Sequence, residues 1–257
     1  MPNTSSLIRG WRITRVVIHV LTGITLTALV VPLCSQRIRL ALTRWWCRRL
    51  LHCFNITLTT SGTLPDASTR SVLFVANHIS WTDIYAINSI LPVRFIAKME
   101  INDWPVLGYL VRKSGTIFIN RGRQRDAARV IEVAKDALVQ GDNLCVFPEG
   151  TTTEGCSVLP FKSSLIQSAI DASAMIAPVV IRYPLPDGSP NLAAAYAGET
   201  TMAESMRAFL NMRAPAVHLH FCQPISATGM TRQSLAEQAH AEISNMLVTQ
   251  NKTAGDS

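Results

Sequence analysis

The sequence predicts an α/β protein: a mostly parallel sheet covered by helices, preceded by an N-terminal membrane-associated helical segment. Three observations carry this expectation. From residue 55 onward, short apolar runs alternate with segments of helical period, the pattern of a sheet with helices on both faces. Residues 16–33 are largely apolar and would span about 27 Å as a helix, close to the hydrocarbon thickness of a bilayer. Charge is also unevenly placed: residues 1–54 hold eight arginines and no Lys, Asp or Glu, so in a chain of net charge +7 the remaining 203 residues net to −1. At 257 residues the chain is long enough for one such domain and an appendage.

Within residues 16–33, His19, Gly23, three threonines and arginines on both flanks give no clear orientation, so a helical hairpin buried in one leaflet fits as well as a crossing. A signal peptide is disfavoured because Pro32-Leu33-Cys34-Ser35 has no small-x-small cleavage site. From Gln36 to Phe54 the apolar Ile38, Leu42, Trp45, Trp46 and Leu50 alternate with Arg37, Arg39, Arg44, Arg48 and Arg49. That pattern suits the headgroups of an anionic membrane, or else a helix packed on the protein's own core with a solvated basic face. The expected organisation is therefore membrane-associating helices over 1–54, an α/β domain over 55–250 and a tail over 251–257.

Strands are expected at Asn55–Thr60, Val72–Ala76, Arg94–Lys98, Thr116–Ile119, Leu144–Phe147, Ile176–Tyr183 and Val217–Cys222. Helices are expected at Trp81–Leu91, Trp104–Arg112, Asp126–Gln140, Ser163–Ala172 and Thr231–Val248, with Gly141 ending the third of them. The basic charge belongs to the N-terminal segment, so it does not argue for a nucleic-acid-binding domain. Six cysteines without a C-x-x-C pair read as reduced thiols of a cytosolic compartment. His218 and His220 would share one strand face, but no further Cys/His cluster accompanies them and no metal site is expected.

The stretch Leu73-Phe-Val-Ala-Asn-His78-Ile-Ser-Trp-Thr-Asp83 carries the chemistry. An apolar strand stops at Asn77-His78, where a helix begins. In a continuous helix His78 and Asp83 would lie about 140° apart and could not meet. With His78 in the turn and Asp83 in the first helical turn, the carboxylate can bond one imidazole nitrogen and leave the other free as a general base. Ser80-Trp-Thr-Asp83 also fits a capping box, in which Asp83 merely satisfies the backbone. Three further strand ends are polar: Lys98, then Arg121 and Arg123 after Gly115-Thr-Ile-Phe-Ile-Asn, then Phe147-Pro-Glu149-Gly150-Thr151. Ligands bind at the carboxyl ends of strands in open α/β sheets, and converging cations there would hold a phosphate.

Four ordered blocks, Asn77-His78-x-x-x-x-Asp83, Gly115–Arg121, Phe147–Thr151 and Ala177-Pro178-Val-Val-Ile, resemble the glycerolipid acyltransferase family, best known for the 1-acyl-glycerol-3-phosphate (lysophosphatidate) acyltransferases. The likeness runs over residues 55–225; Thr151-Thr152 departs from the family's usual Thr-Arg or Thr-Ser. The resemblance implies that His78 deprotonates the acceptor hydroxyl, Asp83 orients His78, Lys98 and Arg121 hold the acceptor's phosphate, and Glu149, Gly150 and Thr151 shape the acceptor side. It implies no metal and no bound cofactor, an acyl-CoA or acyl carrier protein thioester as donor, and a membrane lipid acceptor. The protein would lie on the cytoplasmic face of a bacterial inner membrane, with Arg123 or Arg125 available to the acidic carrier protein. Competing expectations are another lyso-lipid acceptor such as lyso-ornithine lipid, a hydrolase using His78 with water, and a non-catalytic membrane-binding module.

Overall fold

The computed structural model describes residues 4–66, 68–104, 107–120 and 124–252. Its helices are α1 (Ser6–Thr25), α2 (Gln36–Cys53), α3 (Asp83–Ile90), α4 (Leu107–Lys113), α5 (Gln124–Val139), α6 (Gln167–Asp171), α7 (Met202–Asn211) and α8 (Arg232–Lys252). The strands are β1 (Thr57–Gly62), β2 (Val72–Ala76), β3 (Arg94–Lys98), β4 (Ile117–Ile119), β5 (Leu144–Val146), β6 (Met175–Arg182), β7 (Ala216–Phe221) and β8 (Ile225–Ser226). They form one sheet in the order β1-β7-β6-β2-β5-β3-β4, with β8 against β6. β6, β2, β5, β3 and β4 are mutually parallel, whereas β7 and β8 run antiparallel to β6. The fold class is the one the alternation predicts.

Strand period separates two cores. Val72, Phe74 and Ala76 of β2 pack with α2, α3 and α7, through Leu50, Leu51, Ala86, Ile87 and Phe209. Leu73 and Val75 pack on the other face with α5, α6 and α8, through Val130, Leu138, Ala169, Leu235 and Ala239. All five residues of β2 are buried, as expected for a central parallel strand covered on both sides. After β2 the chain crosses to β3, and β6 fills the opposite flank, so the carboxyl end of β2 sits where the strand order switches.

Some elements differ from expectation for local reasons. Of the helix expected at 104–112, α4 covers Leu107 onward, a separate 3₁₀ turn over Met99–Asp103 precedes it, and Pro105 and Val106 lie outside the described residues. The first turn of the 163–172 helix is also 3₁₀, over Ser164–Ile166. Helix α7 was not expected, yet Thr201-x-x-Glu204 is a complete capping box: Thr201 Oγ1 accepts from Glu204 N (3.3 Å) and Glu204 Oε2 from Thr201 N (2.8 Å).

The N-terminal helices form a hairpin. α1 continues through Leu26–Val30 and Val31–Leu33 before α2 returns against it. Gly23 makes the close approach possible, since a Cβ there would lie 2.4 Å from Trp46 Nε1. His19 stacks on Trp46 at 4.8 Å and its Nε2 meets Trp46 O at 2.9 Å. The hairpin is tied to the sheet domain. Arg12, only 4% exposed, donates to the carbonyls of Leu210, Met212 and Arg213 at the C-terminal end of α7. Arg44 and Arg48 both donate to Ser89 O near the end of α3, so these two arginines of the basic helix serve the protein's own structure. The outer surface of α1 and its extension stays apolar: Leu7, Trp11, Val17, Leu21, Leu29 and Leu33 are all more than half exposed.

Candidate active site

His78 lies two residues beyond β2, and Asp83 is the first residue of α3. His78 Nδ1 and Asp83 Oδ2 are 2.8 Å apart, with the carboxylate fully buried and the imidazole 18% exposed. The same Oδ2 accepts the N–H groups of Ile79 (2.8 Å) and Ser80 (3.0 Å). The two readings of Asp83 are therefore not alternatives, for one oxygen satisfies the helix entry and holds the histidine. Because a carboxylate oxygen only accepts, the imidazole hydrogen belongs on Nδ1, which leaves the Nε2 lone pair as the reactive one. The other oxygen, Oδ1, accepts from the Tyr183 hydroxyl at 2.6 Å, and Thr82 Oγ1 in turn lies 2.5 Å from that hydroxyl.

Three further contacts fix the histidine loop. Phe147, just past β5, stacks flat on the imidazole with ring centres 3.9 Å apart and planes at 8°, and Phe95 backs it at 5.8 Å. Asn77 is fully buried and pairs with Ile181 as a strand residue would, donating Nδ2 to Ile181 O (3.0 Å) and accepting Ile181 N on Oδ1 (2.8 Å). This extends the β2–β6 ladder past its last backbone pair, Ala76 with Val179. From the loop after β5, Thr153 N donates to His78 O at 2.8 Å.

Glu149 works from beneath the site. Its Oε1 accepts His78 N (2.8 Å) and its Oε2 accepts Leu159 N (2.9 Å), so both oxygens join the two loops. Burial pushes this carboxyl upward, opposed by the bonds from Leu159 and His78. Gly150 turns the chain at φ 77° and Thr151 is exposed at the rim. Gly155, also at φ 77°, lets the loop lie on Ile79, whose Cδ1 would be 2.5 Å from a Cβ there.

The structure thus joins His78, Asp83 and Glu149 by direct bonds. Lys98 ends β3, exposed, at the same edge of the sheet but two strands away, about 10 Å by strand spacing. Arg121 and Arg123 lie outside the described residues. Tyr183 is the member that sequence reasoning did not single out, while Asn77 and Phe147 stood in the quoted motifs without a role. His218 and His220 do share a face, where they bond Ser61 and Thr59, and no group of three or more metal-ligating side chains occurs among the described residues. The six cysteines are all free thiols, with Cys47, Cys53, Cys145 and Cys222 buried.

A model of the acyltransferase family matches residues 55–182. The chain is 36% identical over 206 residues to a lyso-ornithine lipid O-acyltransferase of Pseudomonas aeruginosa, covering 80% of this chain and 78% of that protein. It is 34% identical over 197 residues to a 1-acyl-sn-glycerol-3-phosphate acyltransferase of Neisseria meningitidis, covering 76% of each. In fold it is similar to the 1-acyl-sn-glycerophosphate acyltransferase PlsC of Thermotoga maritima, with a TM-score of 0.72 at 19% identity over 95% of this chain and 94% of that one. The chain belongs to the acyltransferase family and is an acyltransferase of the lysophospholipid type.

Proposed function

We propose that this enzyme transfers a fatty acyl group from acyl-CoA or acyl carrier protein to the sn-2 hydroxyl of 1-acyl-glycerol-3-phosphate, giving phosphatidic acid. The observation that carries the chemistry is the His78 imidazole bonded through Nδ1 to a fully buried carboxylate while Nε2 stays open. Nε2 takes the hydroxyl proton as the oxygen attacks the thioester carbonyl. The C–S bond then breaks, and the imidazolium returns the proton to the departing thiolate. Because the thioester is already activated, base catalysis of about 10²–10⁴-fold together with alignment suffices, and the route uses no metal or bound cofactor.

In this reading Lys98 and Arg121 bind the acceptor's phosphate, while Glu149, Gly150 and Thr151 frame its side of the site. The helical run Ser6–Leu33 is long and apolar enough to cross a membrane. We assign the α1–α2 hairpin to the bilayer surface, with residues 55–250 as the catalytic unit on the cytoplasmic side, where thioester donors are made. A lysophospholipid then meets the site without leaving the membrane.

A second acceptor is favoured by the Pseudomonas relative, whose name gives lyso-ornithine lipid. The test is acyl transfer by the liposome-bound protein, offered each donor with 1-acyl-glycerol-3-phosphate beside lyso-ornithine lipid. The proposal expects preference for the phosphate acceptor. Preference for the ornithine lipid would keep His78 and Asp83 and move the phosphate assignment elsewhere.

A further inference from the structure

The His78–Asp83 pair does not end at Asp83. Of the carboxylate's two oxygens, Oδ2 serves His78 and two backbone N–H groups, whereas Oδ1 receives the Tyr183 hydroxyl at 2.6 Å. Tyr183 comes from the chain just past β6, a hundred residues further on, and Thr82 lies 2.5 Å from its oxygen. Since the Tyr183 hydrogen goes to Asp83, the Thr82 hydrogen goes to Tyr183. The three side chains are buried.

The structure assigns Tyr183 a positioning role in acyl transfer: its hydroxyl, held by Thr82, fixes the second oxygen of Asp83 and so sets the aim of His78 and the charge it feels. The inference rests on His78 being the base. Two features support it. The Tyr183 ring is clamped against Phe209 of α7 at 6.0 Å, and its backbone carbonyl accepts Asn191 N, so the hydroxyl has little freedom to leave Asp83. Burial, then the negative charge of Asp83, hold the phenol well above its ordinary value, so it stays a donor across the working range of pH.

The titratable groups facing His78 and Asp83 from neighbouring elements are Cys145 of β5, Glu149 from the loop after it, and Tyr183. α7 meets this group with Ser205, bonded to Trp81, and with Phe209. Among these, Tyr183 is the side chain bonded to Oδ1, the oxygen of Asp83 that does not hold His78.

The test compares Tyr183→Phe with the unaltered full-length protein in liposomes, measuring kcat, both KM values and the pH profile of kcat/KM. Losing the hydroxyl leaves more negative charge on Asp83, which favours the protonated, inactive imidazole. Expected are a fall in kcat of about tenfold, unchanged KM values, and an acid limb moved up by about half a pH unit. A kcat and acid limb like those of the unaltered protein would overturn the assignment, as would a raised KM with an unmoved limb. Should Tyr183→Phe fail to fold, Thr82→Val carries the same test: a smaller upward shift of the acid limb supports the assignment and an unmoved limb overturns it. His78→Ala separates the two levels. Turnover retained there defeats the base itself, whereas its loss beside a Tyr183→Phe variant of normal profile defeats the tyrosine alone.

Discussion

Two histidine clusters stand on this sheet, and they are built from different partners. At the carboxyl end of β2, His78 has a fully buried carboxylate on one nitrogen and an aromatic ring along its face, and its other nitrogen is open. On β7, His218 Nδ1 meets Thr59 Oγ1 and its Nε2 meets Ser61 Oγ, which also meets His220 Nδ1, all at 2.8 Å. Hydroxyls both donate and accept, so they fix neither tautomer nor charge, and both nitrogens of His218 are occupied. The carboxylate therefore separates a poised base from a pair of histidines satisfied by neighbouring hydroxyls. Surroundings differ too: burial first, then Arg182 and His220, hold His218 below its ordinary value.

The contrast can be broken at its strongest point by Asp83→Asn. An amide cannot accept from Tyr183, His78 and two backbone N–H groups as the carboxylate does, and it no longer fixes the hydrogen on Nδ1. Expected is a fall in kcat of about 10²–10⁴-fold, read by steady-state kinetics. A loss of tenfold or less would mean that the backbone alone orients His78. His218→Ala should leave kcat within about twofold, as expected for a half-buried histidine whose two ring nitrogens are both taken up by hydroxyls of β1. Its effect belongs to stability. A histidine lowered in the fold takes up its proton more readily when unfolded, so its contribution is present above the ordinary value of 6.5 and is lost as pH falls below it. Thermal melts from pH 7 to 5 should therefore fall less steeply for His218→Ala.

How much of this could be read from the chain depended on sequence distance. His78 and Asp83 are five residues apart, and the end of an apolar strand places one in a turn and the other in a helix. Tyr183 is a hundred residues from Asp83, and nothing in its surroundings distinguishes it from a core tyrosine at a strand end. Only the adjacency of β6 and β2 brings its hydroxyl in. Asn77 stood inside a quoted motif, but its pairing with Ile181 needs the same strand order. Glu149 was legible as a loop residue at a strand end, whereas its two backbone partners, His78 and Leu159, come from different loops. Arg44 and Arg48 show the limit of charge patterning: an arginine in a basic amphipathic run reads as a headgroup contact, yet these two cap the Ser89 carbonyl near the end of α3. Helix α7 announced itself in Thr201-x-x-Glu204, a four-residue signal easily passed over among the prolines and glycines before it.

The central claim is that the open Nε2 of His78 takes the acceptor's proton. The direct measurement is acyl transfer by His78→Ala in liposomes beside the unaltered protein, with membrane binding followed in the same preparations. The account predicts that turnover falls by at least about 10²-fold while binding to the liposomes is unchanged. Near-normal turnover by the variant would contradict it.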